Sequence, residues 1–214
     1  MNNEASITVA GAGLAGCEAA WQAAQRGLRV TLLEMRPHKM TGAHRTDLPA
    51  ELVCSNSLGS ALPDRATGVL QHELRRLDSL LLDCAEATRV PAGGALAVGR
   101  EAFARRVMER LCAHPNITLL REELTALPEG PCIVATGPLT SDALAAELVR
   151  FTGADRLFFF DALAPVVEKE SVDRRVAFRA SRYERGEQED GDYLNCPMNR
   201  TEYDAFVNAL LQAE

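Results

Sequence analysis

Near the start of the chain the spacing of apolar positions changes period twice. Ser6 to Ala10 is a short run with β-branched Ile7, Thr8 and Val9 that stops at Gly11, as a buried strand entering a tight turn does. Leu14 to Arg26 is built mostly of Ala, Glu, Gln, Leu and Trp, which are helix formers, and Gly27 stands where a helix C-terminal glycine belongs. Leu28 to Leu33 is then a second strand. A strand, a helix and a strand within about 30 residues make a βαβ unit, whose parallel strands need the helix as a right-handed crossover. The fold class is therefore α/β.

Further along, Val69, Leu70, Leu74, Leu77, Leu81 and Ala85 keep helical spacing and predict one amphipathic helix over 68–85. Phe103, Val107 and Leu111 predict a second over 100–113, and Ile117 to Leu120 and Cys132 to Ala135 are short buried-strand candidates. After Gly137 the texture changes. Leu157 to Phe160, Pro165 to Glu168 and Val176 to Arg179 read as strands of a different sheet, and the acid-rich stretch from Glu184 to Asp192 reads as a solvated loop. The last segment opens with Asn199 and Glu202 at capping-box spacing, then sets Tyr203, Phe206, Val207, Leu210 and Leu211 on one helical face. These changes place a domain boundary near Thr140, dividing 1–139 from 140–214.

Composition narrows the function classes. The 214 residues correspond to about 1.4 ordinary domains, and 47% hydrophobic with 25% charged residues is average for a globular chain. A net charge of −7 argues against coating nucleic acid or an anionic membrane through bulk charge, although Arg105-Arg106 and Arg174-Arg175 are local basic pairs, suited to a phosphate contact or to a solvated face. There is no transmembrane-length apolar run and no basic-then-apolar leader at Met1, so the expected compartment is the cytosol, with no membrane partner. Six cysteines without a C-x-x-C pair disfavour a zinc site and a general disulfide oxidoreductase. Cys17, Cys84, Cys112 and Cys132 sit in apolar patterns and are read as core packing, whereas Cys196 fits either an activated thiol before a helix or a loop residue.

Gly11-Ala12-Gly13-Leu14-Ala15-Gly16 is a G-x-G-x-x-G string placed between a strand and a helix, the context that gives it meaning. Gly11 would allow the tight turn, Gly13 the approach of a pyrophosphate, and Gly16 the close packing of helix on strand. Free N–H groups at the helix start would face the phosphates. Glu34, 18 residues after Gly16, is placed to accept from a ribose 2′-hydroxyl, which favours FAD or NAD over NADP. The strand into Ala135-Thr136-Gly137 shifts that choice toward FAD. Between Glu34 and Leu58 runs a long polar segment dense in donors, more often functional than idle. Within it Cys54, beside Ser55, Asn56 and Ser57, has neighbours able to stabilise a thiolate. His44 fits a phosphate or flavin-carbonyl contact, or an ordinary exposed histidine.

The strings GAGLAGCEAAW, EMRP, TGAHRTDLPAELVCSNSLGS, VPAGGALAVGRE, ATGPLTS, ASRY and DYLNCPM closely resemble the folate- and FAD-dependent tRNA (uracil-5-)-methyltransferase family, collinearly from Ile7 to the end. The resemblance implies a Rossmann-like FAD-binding fold of the glutathione-reductase type with an inserted α+β substrate domain, incomplete at the C-terminus. It implies methylation of C5 of uracil-54 in the tRNA T-loop, with 5,10-methylenetetrahydrofolate as one-carbon donor, FAD as carrier and reductant, and NAD(P)H as the source of electrons. By match, Gly11, Ala12, Gly13, Leu14, Ala15, Gly16, Glu34 and Arg36 would hold the ADP half of FAD. His44, Asn56, Ser57 and Gly137 would lie near its flavin half, and Cys54 would be the catalytic thiol. The partners implied are the tRNA T-arm and the folate and nicotinamide molecules. Two departures stand out: Gly99 replaces a usual aspartate, and the family's second functional cysteine falls beyond Glu214. The alternative is a truncated, catalytically incomplete FAD-binding fragment.

Overall fold

The computed structural model describes residues 5–153, 167–181 and 191–212. The strand expected at Leu157 to Phe160 and nearly all of the loop after Glu184 lie outside those residues. Of the strand expected at 165–168 only Val167 and Glu168 are described, neither in a strand. Contacts divide the chain into two compact units, 1–90 with 95–164 and 91–94 with 165–214. The boundary expected near Thr140 follows the last strand of the first unit's parallel sheet, and α5 (Asp142–Thr152) beyond it still groups with that unit.

The first unit is built on β1 (Ser6–Ala10), α1 (Leu14–Gln25) and β2 (Arg29–Leu33), close to where the apolar pattern sets them. Gly27 takes the left-handed φ of 85° that closes the helix. Between β2 and the next parallel strand come β3 (Ser57–Ser60), α2 (Ala66–Arg76), α3 (Leu80–Ala87), β4 (Arg89–Val90), β5 (Ala95–Val98) and α4 (Arg100–Ala113). β6 (Ile117–Leu120) and β7 (Cys132–Val134) complete a four-stranded parallel sheet of order β6-β2-β1-β7. That is the 3-2-1-4 order of a Rossmann-like half-sheet, in which sequence order reverses at β1. β3, β5 and β4 form a separate antiparallel sheet. One core joins them: Val9, Leu32, Leu96, Val98, Phe103, Val107 and Leu111 are all fully buried.

The single helix expected over 68–85 is two helices. Asp78 adopts a left-handed φ of 55°, and Ser79 caps α3 by accepting from the Leu82 N–H at 3.3 Å. Glu18 of α1 fixes the break, taking the Ser79 hydroxyl at 2.9 Å and the Leu81 N–H at 3.1 Å. Of the expected apolar stripe, Ala85 is buried and Leu74 and Leu81 pack half-buried against the core, whereas Val69, Leu70 and Leu77 are exposed, because α2 turns Gly68 and Gln71 inward instead. Gly99 is the N-cap of α4 and has no side chain to cap with, so the departure noted in the sequence leaves that helix start without a side-chain acceptor.

The second unit contains β8 (Phe178–Ala180), β9 (Tyr193–Asn195) and α6 (Arg200–Gln212). β8 begins two residues later than expected because the N–H groups of Val176 and Ala177 turn back onto the Asp173 carbonyl. β8 and β9 pair antiparallel, and residues 91–94 join them: the Gly93 N–H donates to the Asp192 carboxylate and the Tyr193 hydroxyl to the Ala92 carbonyl. The capping box forms as predicted, Asn199 N–H to Glu202 at 2.8 Å and Glu202 N–H to Asn199 Oδ1 at 3.0 Å. On α6 the side chains of Tyr203, Phe206, Leu210 and Leu211 are exposed. No helix among the described residues is long and apolar enough to cross a membrane.

Candidate functional site

A cavity of about 520 Å³ opens at the carboxyl ends of the parallel strands. Ala10 ends β1 and Gly11 follows it, Leu33 ends β2 and Glu34 follows it, Ala135 and Thr136 follow β7, and all six line the cavity. This is the switch point of an open α/β sheet, where strand ends diverge and ligands of this fold class bind.

The three glycines of the β1–α1 turn have three separate reasons. Gly11 has a φ of 93°, and a Cβ there would lie 2.8 Å from the Ala135 carbonyl oxygen. A Cβ on Gly16 would lie 1.8 Å from the Gly11 carbonyl oxygen, so α1 sits on β1 only because that atom is missing. Gly13 has nothing within 4 Å of the Cβ position, which leaves its backbone open to the cavity. The first-turn N–H groups of α1, which no helical carbonyl can satisfy, start at this same point.

Glu34 is buried, and its two oxygens accept four protein N–H groups. Oε2 takes the Ala12 N–H at 3.0 Å and Arg36 Nη2 at 3.1 Å; Oε1 takes the Arg36 N–H at 3.0 Å and Nε at 2.9 Å. Burial pushes this carboxyl up, but the side-chain and backbone bonds from Arg36 outweigh it, and the net direction is down. A ribose hydroxyl arriving here would therefore share an oxygen with Arg36 or displace one of its N–H groups, since a carboxylate offers about four acceptor positions. Arg36, 1% exposed, also donates through Nη1 to Glu51 Oε2 at 3.2 Å and to the Thr46 carbonyl at 3.1 Å.

The expected residues Gly11, Gly13, Leu14, Ala15, Glu34, Arg36, His44, Cys54, Ser57 and Gly137 all line the cavity. Ala12, Gly16 and Asn56 stand behind it. Ala12 braces Glu34, Gly16 packs against Gly11, and the Asn56 amide donates to the Val98 carbonyl at 3.0 Å, tying the loop to β5. His44 Nδ1 is 2.7 Å from the Thr41 hydroxyl. Cys54 is exposed, and its carbonyl accepts from Arg100 at 3.3 Å. Its neighbours are engaged elsewhere: the Ser55 hydroxyl oxygen accepts the Ser57 N–H, and the Asn56 amide serves β5. Leu52, Val53 and Glu51 also line the cavity without having been singled out in the sequence. Only the density of donors between Glu34 and Leu58 pointed toward them.

The cysteines divide by burial. Cys17 and Cys84 are buried as expected. Burial pushes the Cys17 thiol far up, and burial with the nearby Asp83 charge pushes Cys84 up to about 11. Cys132 is half-buried on the outer strand, and burial raises its thiol too. Cys112 is a correction: one position past Leu111 turns it about 100° off the buried face of α4, and it is exposed beside Met108. A disulfide-exchange reagent at pH 8 is expected to titrate Cys54, Cys112 and Cys196 quickly, Cys132 slowly, and Cys17 and Cys84 only after denaturation. Fast loss of a fourth and fifth thiol in native buffer would contradict this burial. Of the basic pairs, Arg105 is bonded to Glu101 and Arg175 to Asp173.

The family model described as glucose inhibited division protein A matches residues 6–214. A Pelotomaculum thermopropionicum protein described as methylenetetrahydrofolate--tRNA-(uracil-5-)-methyltransferase TrmFO is 58% identical over 210 residues, covering 98% of this chain and 47% of that protein. Proteins of the same description from Rubrobacter xylanophilus and Bacillus subtilis are 58% and 55% identical over 97% and 99% of this chain, and 46% and 48% of their own length is covered. The chain thus spans about half the length of the curated relatives it matches. Among solved structures, FqzB is 17% identical with a TM-score of 0.44, over 71% of this chain and 39% of that one, a likeness too slight to bear on function. With the family model matching nearly the whole length of this chain and a Rossmann-like sheet beneath, the chain belongs to the glucose inhibited division protein A family.

Proposed function

We propose that this chain is the cofactor-binding half of a folate-dependent tRNA (uracil-5-)-methyltransferase that uses FAD and acts on uracil-54 of the T-loop. The observation that carries the reading is the exposed thiol of Cys54 on the same cavity as the glycine turn and Glu34. The description shared by relatives that are 54–58% identical supports the reaction class. The cavity fits a dinucleotide: open backbone at Gly13, a helix N-terminus, and an acceptor-and-donor pair, Glu34 and Arg36, at the end of β2.

Bound there, a flavin reduced by NAD(P)H supplies the carrier for the one-carbon unit of 5,10-methylenetetrahydrofolate and the electrons that take it to a methyl group. The residues of this chain do the rest. The Gly11–Gly16 turn and the start of α1 hold the pyrophosphate, Glu34 and Arg36 hold the adenosine end, and Ser57 and Gly137 border the flavin end. Cys54 Sγ adds as thiolate to C6 of the uracil, and the electron pair of the C5–C6 bond moves to C5 and O4, making C5 a nucleophile. C5 would then bond to the one-carbon unit, and loss of the C5 proton to water, with its electron pair re-forming the C5–C6 double bond, would break the C6–S bond and restore the thiolate. The cytosol is the expected setting, with the tRNA T-arm as macromolecular partner.

In a full-length protein carrying this sequence, Cys54→Ala is expected to lower uracil methylation at least about a hundredfold while the bound-flavin spectrum is kept. Undiminished turnover would remove Cys54 from the reaction. A second reading, a flavin-binding fragment without activity of its own, is favoured by the half-length coverage of the relatives. It expects the 214-residue chain to take up FAD and to methylate nothing.

A further inference from the structure

We infer that Glu51 is a positioning residue of the dinucleotide cavity: its carboxylate shapes the 44–51 wall and holds Arg36 against Glu34, so that cofactor retention depends on a side chain that need not touch the cofactor. The inference rests on the cofactor reading above.

The wall has no helix or strand between β2 and β3, so its backbone N–H groups need other acceptors. The Thr41 and Thr46 hydroxyls take the N–H groups of His44 and Leu48, and the Glu51 carboxylate takes those of Arg45 and Thr46. Glu51 Oε1 accepts the Arg45 N–H at 2.8 Å. Its Oε2 accepts the Thr46 N–H at 3.1 Å, the Thr46 hydroxyl at 2.9 Å and Arg36 Nη1 at 3.2 Å. The side chain is only 13% exposed, so these bonds act in a poorly solvated place, where charge-assisted bonds are short and strong.

The adjoining residue anchors the wall to the phosphate turn. Ala50, fully buried with a φ of 54°, donates its N–H to the Ala12 carbonyl at 2.8 Å, while the Ala12 N–H donates to Glu34. Arg121, just after β6, closes the far side by donating through Nη1 to the carbonyls of Arg36 and Asp47 at 3.1 and 2.7 Å. A displacement of Glu51 therefore moves both the guanidinium facing Glu34 and the segment bonded to the glycine turn. Holding a site in shape before binding acts mainly on ligand release.

The test compares a full-length protein carrying this sequence with its Glu51→Gln variant by flavin-fluorescence titration, stopped-flow release of FAD, and thermal unfolding without ligand. Gln keeps the shape but loses the charge and one acceptor oxygen. The expected result is about tenfold weaker FAD binding, mostly from faster release, with the ligand-free midpoint lowered by no more than a few degrees. Equal affinity and release in the two proteins would overturn the inference and leave the cofactor reading standing. Absence of FAD binding by the wild type would overturn both. A loss of affinity matched by an equal loss of folded protein would also overturn it, because it would make Glu51 a merely structural group. Should Glu51→Gln not fold, Thr46→Val removes one donor to Oε2 without touching the charge; about threefold faster release is then expected, and unchanged release overturns the inference.

Discussion

Gly16→Ala is expected to abolish the native fold of the first unit under conditions where the wild-type chain is folded. In an exposed helix the change would be favourable by about 1 kcal/mol, since Ala is the better helix former. Here the added carbon would sit 1.8 Å from the backbone oxygen of Gly11. No rotamer can relieve a collision between a Cβ and a carbonyl, so α1 would have to lift from β1 by more than an ångström. That opens contacts among Val9, Cys17, Ala20 and Leu32, all fully buried in one core. Overpacking of yielding side chains costs about 1–3 kcal/mol; against rigid backbone we expect about 4 kcal/mol or more, a large part of the stability of an ordinary domain. Urea unfolding followed by far-ultraviolet circular dichroism reads the result directly. Gly13→Ala separates packing from binding, because nothing lies within 4 Å of its Cβ position. A Gly13→Ala protein as unstable as Gly16→Ala would refute this division of labour.

Arg36→Met is expected to cost about 3–5 kcal/mol at neutral pH, because it leaves the buried Glu34 carboxylate with only two backbone N–H groups, those of Ala12 and of residue 36 itself, and no compensating charge, and strips a donor from Glu51. The pH dependence identifies the cause. In the wild type the Glu34 carboxyl lies below its ordinary 4.5, with the bonds from Arg36 overcoming burial. A depressed native value contributes stability that is fully present above about pH 4.5 and is lost as pH falls through the native value. In the variant the guanidinium is gone and only the two backbone N–H groups oppose burial, so the carboxyl rises from its native value. Its penalty is then greatest at neutral pH and shrinks as acid protonates the buried group. Unfolding midpoints should therefore differ most at pH 7 and converge toward pH 5. A gap independent of pH would mean that lost packing, not an orphaned charge, is responsible.

The elements that sequence placed well are those whose cause is local. The run Ser6 to Ala10, the glycine turn and Gly27 fixed β1, α1 and β2 to within a residue, and Asn199 with Glu202 marked the start of α6 by a pairing complete within four residues. The features that escaped depend on partners distant in sequence. The α2–α3 break is held by Glu18, about sixty residues earlier. β3 reads Ser-Leu-Gly-Ser, with no β-former pattern, and is a strand because β5 lies beside it and Asn56 bonds Val98. Cys112 went astray by a rotation of one residue on a helix whose buried face was otherwise read correctly. In the cavity, the glycines and Glu34 announce themselves by spacing, whereas Glu51 does not. A glutamate in a polar loop looks like any other until the chain folds back and four donors converge on it.

The order of the parallel sheet also bears on how the chain is made. β1 and β2 are neighbours in sequence and can pair, with α1 across them, soon after both have left the ribosome. The other side of β1 must wait: Ala10 pairs with Val134, and the Ala135 N–H bonds back to the Ala10 carbonyl. At roughly 5–20 residues per second of synthesis, that flank of β1 stays unpaired for many seconds. Throughout that interval Gly11 lacks the neighbour that later presses on it, and the nascent β1 edge is a surface on which another chain could pair. Folding yield should therefore depend on the rate at which residues 34–131 are translated as well as on native stability.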